Sequence, residues 1–506
     1  MRTKSVLSVV AVLAFAAIAF PGIAYAGCKE VQAALGDKIA DVTCTESTDL
    51  TTNNPATTPA NNSIPGLPVS AFTPQTDRNV ISPDPPNRTP ITKAVPGLQL
   101  NGRFAEDPTG EARFLLRLPN DWNGKLVVAG ASGTRSEFNG DFAWSDYAVQ
   151  KGYAYASQNK GVLNLKITSL SSPTPPTANS CRLNPASHIW VEFFDNDPAK
   201  PFTQWTQYFV EGTSLAKRAV KAQYDHHPRR TYAVGTSNGG YQVRRALEQA
   251  PELFDGGVDW EGTFIDPLGP NILIDLPPAI RNWPAYVASG FTPDSQAAKN
   301  IVAAGYPPDI VSGGVSLWGL YWGQFWEVTQ CQWQKRFDPT WTTYPAPPTH
   351  PDGTTNIDGT GGYDHFTRIA ADPSIAARLA AVATTGNIKR PLVTVAGTMD
   401  ALLPIKRGAR AYEELVDAQG RDRDDGGGRS PQYRLYEVQN GNHIETFKNT
   451  FPQLELIQPH AQKAFDLLID HIEHGARLPP SQCIPRGGAI ASAPSQRGHC
   501  PNLFVP

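Results

Sequence analysis

Short apolar runs alternate with stretches of helical periodicity along most of the chain. Leu98-Gln99-Leu100 and Ala112 to Leu118 (ARFLLRL) read as two strands joined through the turn-forming Pro108-Thr109-Gly110. Lys125 to Ala129 (KLVVA) and Tyr153 to Ser157 (YAYAS) are further strands, and Phe202 to Gln223 places apolar residues at helical spacing. Thr231 to Val234 (TYAV) then runs into Gly235, a helix follows to Ala250, and Phe254 to Trp260 forms the next strand. Pro391 to Ala396 (PLVTVA), a helix around Lys406 to Ala418, Tyr433 to Val438 (YRLYEV) and a helix from about Gln458 to Gly475 complete the series. Strands alternating with helices predict an α/β fold whose mostly parallel sheet is covered on both faces.

The alternation breaks between Thr263 and Asn387. That interval holds six of the eleven tryptophans, Trp283, Trp318, Trp322, Trp326, Trp333 and Trp341, and many prolines. It reads as an inserted lid. The tryptophans are either the lid's own core or the wall of an apolar substrate pocket, where rings give contact area at low entropic cost; Trp283, Trp318, Trp322 and Trp326 are the candidates for the second role. Residues 45–95 are rich in Thr, Asn and Pro and show no helical period, as an extended linker does. The resulting division is a leader over 1–26, an extended segment over 27–97, the first part of the core over 98–262, the lid over 263–387, the second part of the core over 388–475, and a disulfide-tied tail over 476–506.

The leader changes the picture of where the protein works. Arg2 and Lys4 precede the apolar run Val6 to Phe20, Pro21 cuts that run short of the roughly 20 residues a membrane span needs, and Ala24-Tyr25-Ala26 has the small residues of a cleavage site. This is the layout of a secretory signal peptide. A lipoprotein reading of Tyr25-Ala26-Gly27-Cys28 fits less well. Export suits the cysteines, since Cys28, Cys44, Cys181, Cys331, Cys483 and Cys500 all lie beyond the cut and an even count reads as disulfides. Proximity pairs Cys28 with Cys44 and Cys483 with Cys500, leaving Cys181 for Cys331. No CxxC pair is present, which disfavours a thiolate zinc site. The formal charge of −3 provides no basic field for nucleic acid or anionic membrane, so neither is an expected partner.

The chemistry gathers around Gly235-Thr236-Ser237-Asn238-Gly239-Gly240, a G-x-S-x-G pattern set directly between an apolar strand and a helix. Such a turn pushes its serine onto strained backbone and exposes the hydroxyl at the sheet edge, and the small residues two before and two after leave room for it. A serine needs a base to take its proton and a carboxylate to orient that base. Asp400 lies just beyond the PLVTVA strand in Gly397-Thr398-Met399-Asp400, with Pro404 four residues on; capping the following helix is its plainer use, and Asp259 is the competitor. His443 follows the last core strand in Gln439-Asn440-Gly441-Asn442-His443. His460, His471 and His474 belong to the terminal helix, and His226 and His227 precede the serine. An oxyanion would be met by the N–H of Asn238 and by a donor from Gly130-Ala131-Ser132-Gly133, at Ala131 or Ser132.

Leu118-Pro119, Trp122-Asn123-Gly124-Lys125, Gly152-Tyr153-Ala154 with Ser157, the Gly235–Gly240 elbow and Pro251-Glu252-Leu253-Phe254-Asp255-Gly256 resemble the tannase and feruloyl esterase family of α/β-hydrolases over roughly residues 98 to 475. The resemblance implies an α/β-hydrolase fold with a lid between the later strands, secreted hydrolysis of esters that often carry aromatic acyl groups, and commonly a calcium ion in the lid. Where that family has a cysteine before its nucleophile and another before its base, this chain has Thr236 and Asn442. The Ser-Asn-Gly-Gly elbow is also similar to that of hydroxybutyrate oligomer hydrolases, which cleave short aliphatic polyesters. For calcium, Asp352, Asn356, Asp358 and Asp364 offer hard oxygen ligands, although their spacing is not that of an EF-hand and suits an ordinary turn-rich segment equally. The expected activity is that of a serine carboxylic ester hydrolase needing no organic cofactor, acting on a small or oligomeric ester. A serine peptidase of the same fold and a non-catalytic binding module on a hydrolase scaffold are the alternatives.

Overall fold

The computed structural model describes residues 26–56, 89–133, 136–138, 140–162, 166–192, 199–341, 360–420 and 432–506. The leader up to residue 25 and three calcium candidates, Asp352, Asn356 and Asp358, lie outside them. Ten strands form one sheet: β1 (Ile39–Ser47), β2 (Gly97–Phe104), β3 (Arg113–Pro119), β4 (Lys125–Gly130), β5 (Ala154–Gln158), β6 (Arg230–Thr236), β7 (Gly256–Trp260), β8 (Leu392–Gly397), β9 (Tyr433–Val438) and β10 (Gln482–Ile484). Their spatial order is β1-β2-β3-β5-β4-β6-β7-β8-β9-β10. The first three and β5 pair antiparallel, and every pair from β5 and β4 through β10 is parallel.

Unbroken apolar runs such as KLVVA arise because both faces of a parallel sheet are covered. Val127 and Ala129 pack on one face with Ala461, Ala464, Phe465 and Leu468 of the Gln458–His474 helix. Leu126 and Val128 pack on the other, with Phe209, Ala216 and Val220 of the Thr203–Tyr224 helix and Val243 and Leu247 of the Asn238–Gln249 helix. This is the α/β-hydrolase architecture. Two edge strands go beyond the expected elements. β1 has a mostly polar sequence and is held at the sheet edge by pairing with β2 and by the Cys28–Cys44 disulfide, and β10 is three residues tied by Cys483–Cys500.

Between β7 and β8 the chain forms a helical insertion, including Ile272–Ala288, Gln296–Ala303, Leu317–Tyr321 and Glu327–Phe337. Its aromatic residues join the same apolar cluster as the sheet face bearing Val127, so the insertion shares a core with the sheet. Cys331, in the Glu327–Phe337 helix, is bonded to Cys181, in a three-stranded sheet built from Lys166–Ser169, Cys181–Arg182 and Trp190–Glu192. All three expected pairings are therefore present. Among the described residues, no helix is long and apolar enough to cross a membrane.

Candidate active site

Ser237 follows β6 and caps the Asn238–Gln249 helix with φ 57° and ψ −123°, left-handed backbone that costs a residue with a β-carbon about 1–3 kcal/mol. Its amide donates to Trp260 O at 2.8 Å, while its carbonyl accepts from Tyr241 N at 3.1 Å and Thr263 N at 3.3 Å. Glycine is needed for close approach. A β-carbon at position 235 would overlap the Gly239 backbone, and one at position 239 would overlap the Gly130 carbonyl and stand 3.2 Å from Ala131 N. The elbow and the Gly130–Gly133 loop thus meet backbone to backbone. Asn238 opens the helix, where amides lack intrahelical partners, and its side-chain Oδ1 accepts from Thr263 Oγ1 at 2.7 Å.

The register carries the other residues to the same edge. Thr236 lies beside Trp260, Trp260 beside Val395, and Gly397 beside Val438. Ser237, Glu261, Asp400 and His443 therefore follow adjacent strand ends. Asp400 is buried: Oδ1 accepts the Leu402 and Leu403 amides at 2.7 Å each and Oδ2 lies 2.7 Å from His443 Nδ1, while the following Ala409–Ala418 helix starts from Gly408, so Asp400 orders its own turn and does not cap that helix. The acid and base loops are joined by Met399 N donating to Gly441 O at 2.8 Å, and Asn440 takes left-handed backbone at φ 64°. Asp259, the competing acid, is consumed beneath the site by Arg244 Nε and Thr394 Oγ1 on Oδ2, at 2.7 and 2.8 Å, and by Gly262 N on Oδ1 at 2.7 Å. His460 is half-buried in the terminal helix and His471 Nδ1 meets Ala476 O, both away from this edge.

Three contributors were not among the expected residues. Glu261, one residue past β7, places Oε2 3.4 Å from His443 Nδ1. Its carboxylate, that of Asp400 and the imidazole bring donor atoms within 4.8 Å of one another, but with His443 Nδ1 committed to Asp400 the group reads as a hydrogen-bonded cluster and not as a cation site. Lys160 is fully buried and donates from Nζ to Ala131 O at 2.8 Å and to Ser132 O, fixing the peptide planes of the Gly130–Gly133 loop. Tyr321 of the insertion donates to Asn442 Oδ1 at 2.8 Å, beside the histidine. The signal for Glu261 was the one used for Asp400, a carboxylate just past a strand end; the other two depend on contacts between distant segments.

The four candidate pocket tryptophans occupy different settings. Trp326 is buried and donates from Nε1 to Ala401 O at 2.7 Å, next to Asp400, and Trp318 is buried and donates to Pro307 O at 3.2 Å. Trp283 stacks on Trp322 with centroids 5.7 Å apart, and Trp322 is the half-buried member of the four. Asp364, the described calcium candidate, caps the His365–Ala371 helix by accepting from Thr367 N at 3.1 Å.

Comparison with known proteins adds a partial match. The 3HB-oligomer hydrolase (3HBOH) family model matches residues 353–504, a segment that contains Asp400 and His443 and excludes Ser237. A D-(-)-3-hydroxybutyrate oligomer hydrolase of Burkholderia thailandensis is 35% identical over 129 residues, 24% of this chain and 17% of that relative. One from Burkholderia mallei is 34% identical over 123 residues, 23% of this chain and 16% of the relative. The matched segment is thus less than a fifth of those relatives' length. Among solved structures, a tannin acyl hydrolase from Aspergillus niger aligns over 93% of this chain and 90% of its own at 14% identity and a TM-score of 0.46. Feruloyl esterase B from Aspergillus oryzae aligns over 90% of both chains at 13% identity and a TM-score of 0.45.

Proposed function

We propose that this protein is an exported serine carboxylic ester hydrolase working through an acyl-enzyme. One observation supports the reading above all: a 2.7 Å contact between Asp400 Oδ2 and His443 Nδ1 at the sheet edge where Ser237 sits on left-handed backbone. With Asp400 accepting the Nδ1–H, the imidazole is held in the tautomer that leaves Nε2 free to take the serine proton. Ser237 Oγ attacks the ester carbonyl carbon, and the oxyanion is met by the Asn238 amide and by one from the Ala131-Ser132 loop. His443 then protonates the departing alcohol, and water repeats the sequence to release the acid. This route needs no organic cofactor.

The acyl group we favour is a short hydroxyalkanoate, because the 3HB-oligomer hydrolase family model covers the segment carrying Asp400 and His443 and hydroxybutyrate oligomer hydrolases are among the similar proteins. The insertion acts as the lid, with the stacked Trp283–Trp322 pair as its apolar surface toward substrate. The three disulfides and the leader favour a secreted or periplasmic location, and no nucleic acid or membrane partner is part of this reading. Ser237→Ala is expected to abolish hydrolysis of a p-nitrophenyl acyl ester while the protein stays folded; retained turnover rejects the assignment. A panel of hydroxybutyrate trimer, methyl ferulate, methyl gallate and a matched ester and amide assigns the class. Preference for the aromatic esters or the amide would overturn the hydroxyalkanoate reading.

A further inference from the structure

Glu261 is unusual for its place. It stands at φ 52°, its amide donates to Val395 O at 2.9 Å, and Oε1 accepts the Gly397 amide at 2.7 Å, so its carboxyl is held between the ends of β7 and β8. The other oxygen, Oε2, is buried without a hydrogen-bond partner among the described residues and faces His443 Nδ1 at 3.4 Å, the atom that Asp400 Oδ2 meets at 2.7 Å. A buried oxygen without a partner costs about 1–3 kcal/mol, so its retention beside the imidazole calls for a reason.

The groups around it define its state. Asp400 and His443 face it from the two neighbouring loops, Glu445 from the short helix after His443, Asp259 from β7 with Arg244 paired to it, and Tyr321 from the insertion. Burial first, and then the negative charge of Asp400, push the Glu261 carboxyl well above the usual carboxylate range. Glu261 thus resists ionising, since two carboxylates so close in a buried site do not readily ionise together.

We propose that Glu261 is a positioning residue for His443, a second acid at Nδ1 that shares with Asp400 the task of orienting the imidazole. The proposal rests on the reading of His443 as the general base. While Asp400 is charged, the neutral Glu261 carboxyl borders the ring on its second side and limits its rotation away from Asp400. When the Asp400 charge is removed, the like-charge repulsion on Glu261 goes with it while burial remains, so Glu261 ionises more readily than before and is left as the acid facing Nδ1–H.

The test is a double-mutant cycle in kcat/KM against pH, on native protein, Asp400→Asn, Glu261→Gln and the double variant, each checked for folding by circular dichroism, with His443→Ala alongside. Asp400→Asn is expected to keep activity that climbs with pH as Glu261 ionises. Adding Glu261→Gln should remove that climb and lower the activity by a factor about tenfold greater than the same change causes on the native background. Equal factors on both backgrounds, or an Asp400→Asn variant as inactive as His443→Ala with no pH dependence, would overturn the proposal. Should Asp400→Asn not fold, the downfield Nδ1–H proton resonance of His443 is compared between native protein and Glu261→Gln: a displaced signal is expected, and an unmoved one overturns the proposal. Native turnover by His443→Ala would instead reject the base assignment. An inactive His443→Ala with an additive cycle leaves that assignment standing and removes Glu261 alone.

Discussion

Tyr321→Phe removes one oxygen from the link between the insertion and the base loop. The hydroxyl donates to Asn442 Oδ1 at 2.8 Å, both residues are buried, and Asn442 immediately precedes His443. The ring itself keeps its contacts, edge-on with Phe447 at 5.4 Å and tilted against Phe325 at 5.8 Å between centroids, so packing is preserved. What is lost is a donor to a buried amide oxygen, at about 1–3 kcal/mol. Among the described residues the Asn442 side chain is then held by its Nδ2 bond to Ile444 O at 2.8 Å, and a base displaced by even part of an ångström loses productive geometry, so kcat should fall by about tenfold. The control is Tyr286→Phe, which deletes a donor to Asp309 Oδ2 at 2.9 Å within the insertion, away from the catalytic loops. Ester turnover and thermal unfolding are measured together. Both variants should lose stability, and Tyr321→Phe alone should lose kcat to this extent; equal kcat for the two would refute the coupling of the insertion to the base.

Gly239→Ala should cut kcat sharply, since the added methyl meets the Gly130 carbonyl and the Ala131 amide and wedges the Ser237 elbow away from the Gly130–Gly133 loop; an unaffected kcat would contradict that packing. Glu445 is buried, and desolvation pushes its carboxyl up to about 8 despite the Gln458 and Ile457 amides on Oε1. A raised folded pKa on an acid means that stability declines as pH rises from the unfolded value, near 4.5, through about 8. Glu445→Gln, which keeps an acceptor for those amides, should gain melting temperature over native protein on going from pH 5 to pH 8, and a gap that narrows would reverse the sign. Removing Cys181–Cys331, with a sequence separation of 150, should destabilise more than removing Cys28–Cys44, with 16; chain entropy gives about 5 and about 3 kcal/mol, checked by denaturant unfolding of the paired Ser variants.

The parts of the molecule legible in the sequence are those whose signal is local. Leu126 to Ala129 is an unbroken apolar run and PLVTVA is broken only by Thr394, whose buried hydroxyl donates to Asp259, because each strand is covered on both faces, and YRLYEV matches β9 residue for residue. The elbow was readable because its glycines answer a local demand for space around Ser237. The insertion was less so. Pro277, Pro278 and Pro284 signal broken structure, yet Ile272–Ala288 is one helix, where burial of Leu273, Leu276, Ile280 and Trp283 outweighs three missing amide donors. Lys160 and Tyr321 stayed hidden because a lysine or tyrosine carries no mark of the carbonyl or amide it will meet after folding. Glu261 was overlooked for the opposite reason: strand-end acids are common, and only the imidazole 3.4 Å away distinguishes this one. β1, with alternate positions exposed at a sheet edge, lacks the apolar pattern that reveals a central strand.

The proposed function stands or falls with activation of the Ser237 hydroxyl by His443. Incubation with a fluorophosphonate ester, followed by intact-mass measurement and peptide mapping, tests it most directly. One adduct per chain is expected, on Ser237, absent from Ser237→Ala and formed far more slowly in His443→Ala. An unlabelled native protein, an adduct on another residue, or undiminished labelling of His443→Ala would contradict it.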